Sequence, residues 1–273
     1  MQRDSIQNTF LVAIVLCLVC AAAVAGSVAL LKEPQKVNLE RYRKQNVLDA
    51  AGLYDKGMSN EQIDITYKQW VVGRVIELPS GKDVTDEYGE AGFDQAKAVD
   101  DMKTRVTIKP EDDTAKLKTR EYRSNVYIIK TSPANPTPSQ YVFPIRGKGL
   151  WSIMWGFVSI ESDMQTVRGL SYYDQGETPG LGGEVENPEW KKKWNGKLLY
   201  NAEGELAIRV AKGPAQNHNQ VDGLSGATIT SGGVTNMLRY WLGPDGFGPY
   251  MNSIKEKNAS SGDSSSQSGD KNG

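Results

Sequence analysis

An uninterrupted apolar stretch near the start of the chain limits its architecture most. Residues 10–31 contain no charged side chain, and both cysteines, Cys17 and Cys20, lie within this stretch. A helix of 22 residues is about 33 Å long, because each residue adds about 1.5 Å, and a bilayer's hydrocarbon core is about 30 Å thick. We therefore predict a transmembrane helix over 10–31, after a short N-terminal segment (1–9) and before a soluble region.

A cleaved signal peptide is the alternative interpretation of this stretch, because residues 23–25 (Ala-Val-Ala) resemble a cleavage site. Signal-peptide apolar regions usually span only about 7–15 residues, and Arg3 is offset here by Asp4, so the pattern favours an uncleaved anchor. Five cations within residues 32–44 would by themselves place the soluble region in the cytoplasm. That rule weakens when a long domain follows, so charge alone leaves the orientation open.

Composition excludes several functional classes. The chain has 32 Lys and Arg against 33 Asp and Glu, a net charge of −1, so it lacks the basic excess that nucleic-acid binding requires. Beyond residue 31 there is no cysteine, and His218 is the only histidine of the chain. Disulfides, iron–sulfur clusters and thiolate or His–His metal sites are therefore excluded from the soluble region, and no metal is expected. A redox reaction in this region would require a bound cofactor.

Hydrophobic periodicity and turn residues predict an α+β fold, with a mostly antiparallel sheet and flanking helices after the transmembrane helix. A capping box at Ser59 and Gln62 predicts a helix over 60–71, and Asn187-Pro188 predicts another helix start. Three prolines predict a loop over 131–140. The remaining predictions are helices near 92–102 and over 232–242, and strands over 72–78, 124–130, 141–145, 154–162, 166–174 and 205–211.

These patterns divide the soluble region into three parts. Residues 32–140 form a helical and charge-rich part without a recognisable motif. Residues 141–250 change to short strand-like runs separated by glycines. The last part, 251–273, is rich in serine and glycine and is predicted to be disordered.

Three glycine-containing segments are candidates for chemistry: 144–151 (Pro-Ile-Arg-Gly-Lys-Gly-Leu-Trp), 177–182 (Glu-Thr-Pro-Gly-Leu-Gly) and 222–228 (Asp-Gly-Leu-Ser-Gly-Ala-Thr). Singly, each has an ordinary interpretation as a turn or a helix cap. The third leads into a predicted helix, whose free N–H groups and positive dipole end favour a phosphate. The chain contains neither a dinucleotide fingerprint nor a Walker A loop in these segments, so we do not expect it to bind NADH itself.

Together and in this order, the three segments resemble the covalent-FMN-binding domain family, whose members include electron-transport subunits of Na+-translocating NADH:quinone reductases and of Rnf complexes. The resemblance is dense over residues 141–243. It implies that 141–250 is an FMN-binding domain and that FMN is attached through its phosphate to Thr228, with Thr230 as the nearest rival hydroxyl. It also implies that a separate flavin transferase installs the FMN. The rest of the implied attachment motif comprises Asp222, Gly223, Ser225, Gly226 and Ala227.

The resemblance further implies that the 177–182 segment packs against the flavin, through Glu177, Thr178, Gly180, Leu181 and Gly182. Trp151 is a candidate neighbour of the flavin ring, with a core or interface tryptophan as the alternative. Arg146 and Lys148 are candidates for contact with the phosphate or a partner, or else belong to a solvated turn.

The function implied is that of a membrane-anchored electron carrier. It would relay electrons between neighbouring subunits of a Na+-translocating NADH:quinone reductase in the bacterial inner membrane, coupled to sodium export, with its soluble domain on the periplasmic side. One alternative is the corresponding FMN-carrying electron-transport subunit of an Rnf-type complex. Another is a non-catalytic, membrane-tethered assembly module whose glycine segments are only turns.

Overall fold

The structure is a computed structural model that describes residues 6–88 and 94–266. It divides into two compact units, Met1–Arg43 and Lys44–Gly273. Helix α1 (Ile6–Ala50) accounts for the described part of the first unit. Among the described residues it is the one helix long and apolar enough to cross a membrane, judged by length and composition. The helix continues beyond residue 31 because the sequence that follows is rich in good helix formers such as Lys, Glu, Gln and Arg.

The second unit is built on a five-stranded sheet with strand order β1-β4-β5-β6-β7, in which every neighbouring pair is antiparallel. This confirms the predicted α+β fold. The strands are β1 (Val71–Glu77), β2 (Arg105–Thr107), β3 (Thr119–Glu121), β4 (Arg123–Ser132), β5 (Asn135–Lys148), β6 (Ile153–Glu161), β7 (Val167–Asp174), β8 (Arg209–Val210) and β9 (Gln220–Val221). The helices are α2 (Asn60–Trp70), α3 (Thr85–Tyr88), α4 (Gln95–Asp100), α5 (Pro188–Lys192), α6 (Thr228–Trp241) and α7 (Gly248–Ser266), with a 3-10 helix over Gly182–Glu186.

Both faces of the sheet are covered. Successive side chains of a strand point to opposite faces, so Tyr141 and Phe143 of β5 enter one core and Val142 between them enters the other. The larger core also contains buried side chains of α6 and α7. The smaller core contains the last residues of α1, including Leu48, and Ile63 of α2. This explains why hydrophobic residues of the central strands are not limited to alternate positions.

Two predicted helix starts are confirmed. Ser59 and Gln62 form both bonds of the capping box before α2, so the helix begins at Asn60. Asn187 caps α5 through its side chain, which accepts a hydrogen bond from the backbone N–H of Glu189. Trp190 and Trp194 then pack edge to face with ring centroids 5.5 Å apart, as expected for side chains on one helical face.

The loop predicted over 131–140 is wrong. Strand β4 runs to Ser132 and β5 begins at Asn135, so the segment is a hairpin whose turn comprises residues 133–134. Pro136 and Pro138 are tolerated because this part of β5 extends beyond the pairing with β6, which starts at Gln140. The predicted boundary between residues 140 and 141 therefore falls inside β5, and the sheet joins both sides of it.

The end of the chain also differs from the prediction. Helix α6 begins at Thr228, four residues before the predicted start at 232. Residues 251–266, predicted to be disordered, belong to α7, where Met251 and Ile254 are buried in the larger core. Hydrophobic contacts thus order the first turns of a segment whose composition is otherwise typical of disorder. Residues 267–273 lie outside the described part.

Two weakly periodic regions are only partly as predicted. The helix expected near 92–102 is α4, over Gln95–Asp100, and residues 89–93 lie outside the described part. The strand expected over 205–211 is reduced to β8, which pairs in parallel with β9 over two residues.

The topology brings the glycine-containing segments to one end of the sheet. Because β5, β6 and β7 are antiparallel neighbours, the turn between β5 and β6 and the segment following β7 lie at the same end of the strands. Helix α6 packs on β5 along the larger core. A Cβ at Gly233 in the second turn of this helix would run into the carbonyl oxygen of Lys148. The start of α6 therefore lies directly against the end of β5.

Candidate functional site

The first two segments and the first turn of α6, which follows the third, meet at the carboxylate of Glu177. Its oxygens accept hydrogen bonds from the backbone N–H groups of Leu150 (3.0 Å), Trp151 (2.9 Å) and Ser152 (3.2 Å). The hydroxyl of Thr230 in α6 donates a fourth hydrogen bond of 2.6 Å. One side chain after β7 is thus bonded both to the β5–β6 turn and to the first turn of α6.

Glycines permit this close approach. A Cβ at Gly149 would lie 2.6 Å from Oε1 of Glu177, and one at Gly182 would lie 2.6 Å from Oγ1 of Thr230. At Gly226, whose φ is +69°, a Cβ would lie 2.9 Å from Cδ2 of Leu181. The glycines that suggested turns in the sequence therefore also remove the side chains that would separate the three segments.

Opposing effects determine the pKa of Glu177. Burial favours the neutral acid and raises the pKa, but the hydrogen bonds from Thr230 and from the N–H groups of Trp151, Leu150 and Ser152 favour the carboxylate and lower it. The net result is a lowered pKa, so the group is ionised at neutral pH.

This shift predicts a pH dependence of stability. A carboxyl whose pKa is lowered on folding stabilises the protein above its unfolded value of 4.5, and that contribution is lost as the pH falls through the lower folded value. We expect Glu177→Gln to reduce the loss of unfolding free energy between pH 6 and pH 3, measured by urea titration of the full chain in detergent. Glu184→Gln, the same replacement of a carboxylate by an amide on the adjacent 3-10 helix, is the matched control with which this variant is compared. An acid dependence of Glu177→Gln identical to the parent's would contradict this.

Thr228 and Thr230 differ sharply in accessibility. Thr228 is the first residue of α6 and its side chain is exposed, whereas Thr230 is only 1% exposed and is bonded to Glu177. The first residues of α6 have no side-chain cap, and the N–H of Ser231 bonds to the carbonyl of Ala227. The N–H groups of residues 228–230 consequently have no partner within the helix. An exposed hydroxyl thus lies at a helix end suited to a phosphate.

Exposed apolar side chains lie at the start of α6 and on the two segments that contact it. Trp151 is 66% exposed and Ile229, which follows Thr228, is 62% exposed. Leu150 and Leu181 are also exposed. Glu177 joins the turn that carries Leu150 and Trp151 to the first turn of α6, and a Cβ at Gly226 would lie 2.9 Å from Leu181, so elements in contact with one another carry these side chains. Trp151 is therefore not a core residue, and the surface is suited to a flat aromatic ligand.

A cleft of about 520 Å³ has Thr228 among its lining residues. Strand β8 and the loop after it form one wall, and α6 forms the other. Three cations, Arg209, Lys212 and Arg239, line it, and none of its described lining residues is acidic. The cleft therefore favours an anion beside the Thr228 hydroxyl.

Asp222 and Gly223 have structural contacts instead of facing the apolar surface. The Asp222 carboxylate lies 2.7 Å from Nζ of Lys193 and accepts a hydrogen bond from the N–H of Ala215. These bonds, with the attraction of Lys193, lower the pKa of Asp222. A Cβ at Gly223 would run into the carbonyl oxygen of Ala211. Both residues anchor the loop that ends at Thr228.

The other predicted site residues divide by exposure. Ser225, Gly226, Thr178 and Gly180 are exposed on the loops around Thr228, whereas Ala227 and Gly182 are buried beneath them.

Arg146 is not available to a phosphate. It is 3% exposed and pairs with the fully buried carboxylate of Glu121 at 3.3 Å, and its guanidinium lies 5.0 Å from the ring centroid of Trp155. The solvated-turn interpretation is also wrong for this residue. Lys148 donates a hydrogen bond of 2.8 Å to the carbonyl of Trp151 and so supports the turn.

Comparison with known proteins places this site in a family. The FMN-binding domain family matches residues 149–243, which include Trp151, Glu177 and Thr228. The NqrC component of the Na(+)-translocating NADH-quinone reductase of Haemophilus ducreyi is 42% identical over 93% of this chain and 96% of its own length. The component of the same name from Yersinia pestis is 40% identical over 93% and 95%.

The chain belongs to the NqrC family of Na(+)-translocating NADH-quinone reductases. The crystal structure of NqrC from Shewanella oneidensis has a TM-score of 0.72 to this chain at 35% identity, and the match covers 79% of this chain and 98% of that one. The fold of the soluble unit is therefore that of a solved member of the NqrC family.

Sequence reasoning missed several residues of the site. Ile229 lies before the predicted helix start at 232, so its exposed position on the helix could not be recognised. Arg209, Lys212 and Arg239 lie in weakly patterned or distant segments, and only the tertiary structure brings them to one cleft. From the sequence Thr230 is predicted as a rival acceptor or as a helix cap, and neither role indicates its hydrogen bond to Glu177.

Proposed function

We propose that this NqrC family member carries one FMN, attached through a phosphodiester bond to Thr228, and transfers electrons within a Na+-translocating NADH:quinone reductase. The observation that carries the proposal is the contrast between two hydroxyls of one helical turn. Thr228 is exposed at the uncapped start of α6, whereas Thr230 is buried and bonded to Glu177. Of these two, only Thr228 is accessible to an enzyme that attaches a cofactor.

The residues present fit such a cofactor. Free N–H groups at the start of α6 and the cations of the neighbouring cleft, Arg209, Lys212 and Arg239, offset the negative charge of a phosphodiester. The exposed side chains of Leu150, Trp151, Leu181 and Ile229 supply apolar surface for the flavin ring. When bound, FMN accepts and donates electrons singly or in pairs, and the protein provides binding and electrostatics.

The chain's role in the complex follows from what the soluble unit contains. Both cysteines lie in the apolar stretch of α1, so the soluble unit has no thiol with which to carry electrons. A soluble unit without a thiol would need the FMN held at Thr228 to relay electrons between neighbouring subunits, the role proposed here in a complex that couples electron transfer to sodium export. A flavin transferase would transfer the FMN part of FAD to the Thr228 hydroxyl, breaking the bond between the two phosphates and releasing AMP, which takes up the hydroxyl proton. The covalent bond would then prevent loss of the FMN where free FMN is scarce.

Intact mass measurement of the full chain purified from its own membranes tests the attachment. The expected mass exceeds that of the polypeptide by one FMN less one water, and peptide mapping places the increment on the peptide containing Thr228. The increment should coincide with flavin fluorescence that remains with the polypeptide after denaturing electrophoresis. A bare polypeptide, or an increment on another side chain, would refute the proposal.

The location proposed is the bacterial inner membrane, with helix α1 as a single-pass anchor and the soluble unit on the periplasmic side. We expect protease added to intact spheroplasts to degrade the unit that follows α1, although the cations of residues 32–44 favour the opposite orientation. A cytoplasmic marker that stays intact shows that the spheroplasts are sealed, and detergent lysis shows that the protease is active. Protection of the soluble unit until lysis would place it in the cytoplasm.

A further inference from the structure

Glu177 has little capacity left to contact a ligand. Its residue is 5% exposed, and its two oxygens already accept four hydrogen bonds, from Leu150, Trp151, Ser152 and Thr230. A carboxylate offers about four lone-pair positions, so this set uses its accepting capacity. The resemblance implied that the segment containing this residue packs against the flavin, and the four hydrogen bonds assign the carboxylate itself to the β5–β6 turn and to Thr230.

The partners of Glu177 explain what the carboxylate controls. The turn between β5 and β6 directs three consecutive N–H groups, those of residues 150–152, at one side chain. Leu150 and Trp151 carry two of the exposed apolar side chains of the site, so the position of their backbone sets the position of that surface. Without an acceptor at this point, the partly buried N–H groups would lack a partner and the turn would rearrange.

The hydrogen bond to Thr230 also connects Glu177 to the helix that carries Thr228, the proposed flavin acceptor. Thr230 lies in the first turn of α6, two residues after Thr228, and its hydroxyl donates to Oε2 of Glu177 at 2.6 Å. The same oxygen accepts from the N–H of Leu150 at 3.0 Å. A single oxygen atom thus connects the apolar turn with the helix that starts at the acceptor hydroxyl.

We propose that Glu177 is the positioning residue of the flavin site, holding the Leu150–Trp151 turn at a fixed distance from Thr228 through Thr230. The proposal rests on the proposed function, since it concerns attachment of flavin to Thr228. Glycine at positions 149 and 182 belongs to the same arrangement, because a Cβ at either position would lie within 3.0 Å of a Glu177 side-chain atom.

The test compares Glu177→Gln with Glu184→Gln in the full chain. Glutamine keeps the size of the side chain, but it lacks the charge and presents an NH2 group where two donors already point. In a flavin-free Thr228→Val background, amide exchange at residues 150–152 is expected to accelerate about tenfold or more in Glu177→Gln. With Thr228 intact, the fraction of chains carrying flavin should fall severalfold, and the midpoint potential of the remaining flavin should rise because a nearby negative charge is gone. Glu184→Gln should match the parent in all three measurements.

A second pair of variants keeps the proposal testable if Glu177→Gln does not fold. Thr230→Val removes one hydrogen bond and should lower the flavin-carrying fraction, whereas Thr230→Ser keeps the hydroxyl and should restore it. The positioning role of Glu177 would be overturned if Thr230→Val had the parental flavin content, or if Glu177→Gln had the parental flavin content and midpoint potential. Neither result would affect the proposed function. Absence of flavin from the parent protein itself would instead overturn the proposed function.

Discussion

Replacement of Thr228 with valine is expected to abolish covalent flavin attachment completely. Valine has nearly the same shape but no hydroxyl, so no phosphodiester bond can form. The side chain is exposed at the first position of α6, and the unfolding free energy should therefore change by only about 0.5 kcal/mol or less. The measurement is flavin fluorescence of the polypeptide after denaturing electrophoresis, together with its intact mass.

Two neighbouring variants give this experiment its controls. Thr228→Ser retains a hydroxyl and should retain flavin, at a reduced level because the more flexible serine is less well oriented. Ser225→Ala removes another exposed hydroxyl of the implied attachment motif but keeps the hydroxyl of Thr228, so the flavin that is attached should still map to Thr228. Flavin fluorescence that persists on the Thr228→Val polypeptide would show that the acceptor is a different residue.

Replacement of Gly233 with alanine is expected to destabilise the soluble unit and displace α6, the helix that begins at Thr228. A Cβ at this position would overlap the carbonyl oxygen of Lys148 and would also lie 3.2 Å from Cα of Gly149. Backbone atoms cannot move aside as a flexible side chain can, so α6 has to shift away from β5. Overpacking of this kind costs about 1–3 kcal/mol, and we expect a loss of roughly 2 kcal/mol in unfolding free energy. Urea titration of the full chain in detergent measures it, and flavin content should fall in parallel.

The adjacent glycine provides a control of opposite sign. A Cβ at Gly232 would meet nothing within 4 Å, and the residue is exposed inside the same helix. Gly232→Ala should therefore stabilise the protein by about 0.5–1 kcal/mol, because alanine has the higher helix propensity. Equal effects of the two substitutions would contradict the close packing of α6 against the end of β5.

The starts of helices could be predicted from the sequence where neighbouring residues determine them. The capping box at Ser59 and Gln62 fixed the start of α2, and Asn187 fixed the start of α5. The Pro136–Pro138 segment was predicted wrongly because proline excludes a residue from the middle of a sheet but not from a part of a strand that lacks a second neighbour. That distinction depends on where β6 ends, which the segment itself does not encode.

The start of α6 shows the same limit at the functional site. In the sequence Thr230 and Ser231 have an ordinary interpretation as helix caps, which places the predicted start at residue 232. In the fold, Gly233 is required by the closeness of the Lys148 backbone, so a residue unfavourable for the helix is favourable for its packing. The start at Thr228 places this residue and Thr230 in one helical turn and gives them opposite environments.

The sequence by itself determined the apolar helix, the α+β class and the three segments that resemble an FMN-binding family, because periodicity, length and short motifs are local properties of the chain. Its motif also predicts Thr228 as the residue that carries the flavin. The tertiary structure alone decided that Glu177 bonds to the β5–β6 turn and to Thr230. It also decided that Arg146 is buried against Glu121 and that Trp151 is exposed. Each of these outcomes depends on contacts between residues far apart in the chain, and such partners are chosen by how the strands and α6 pack.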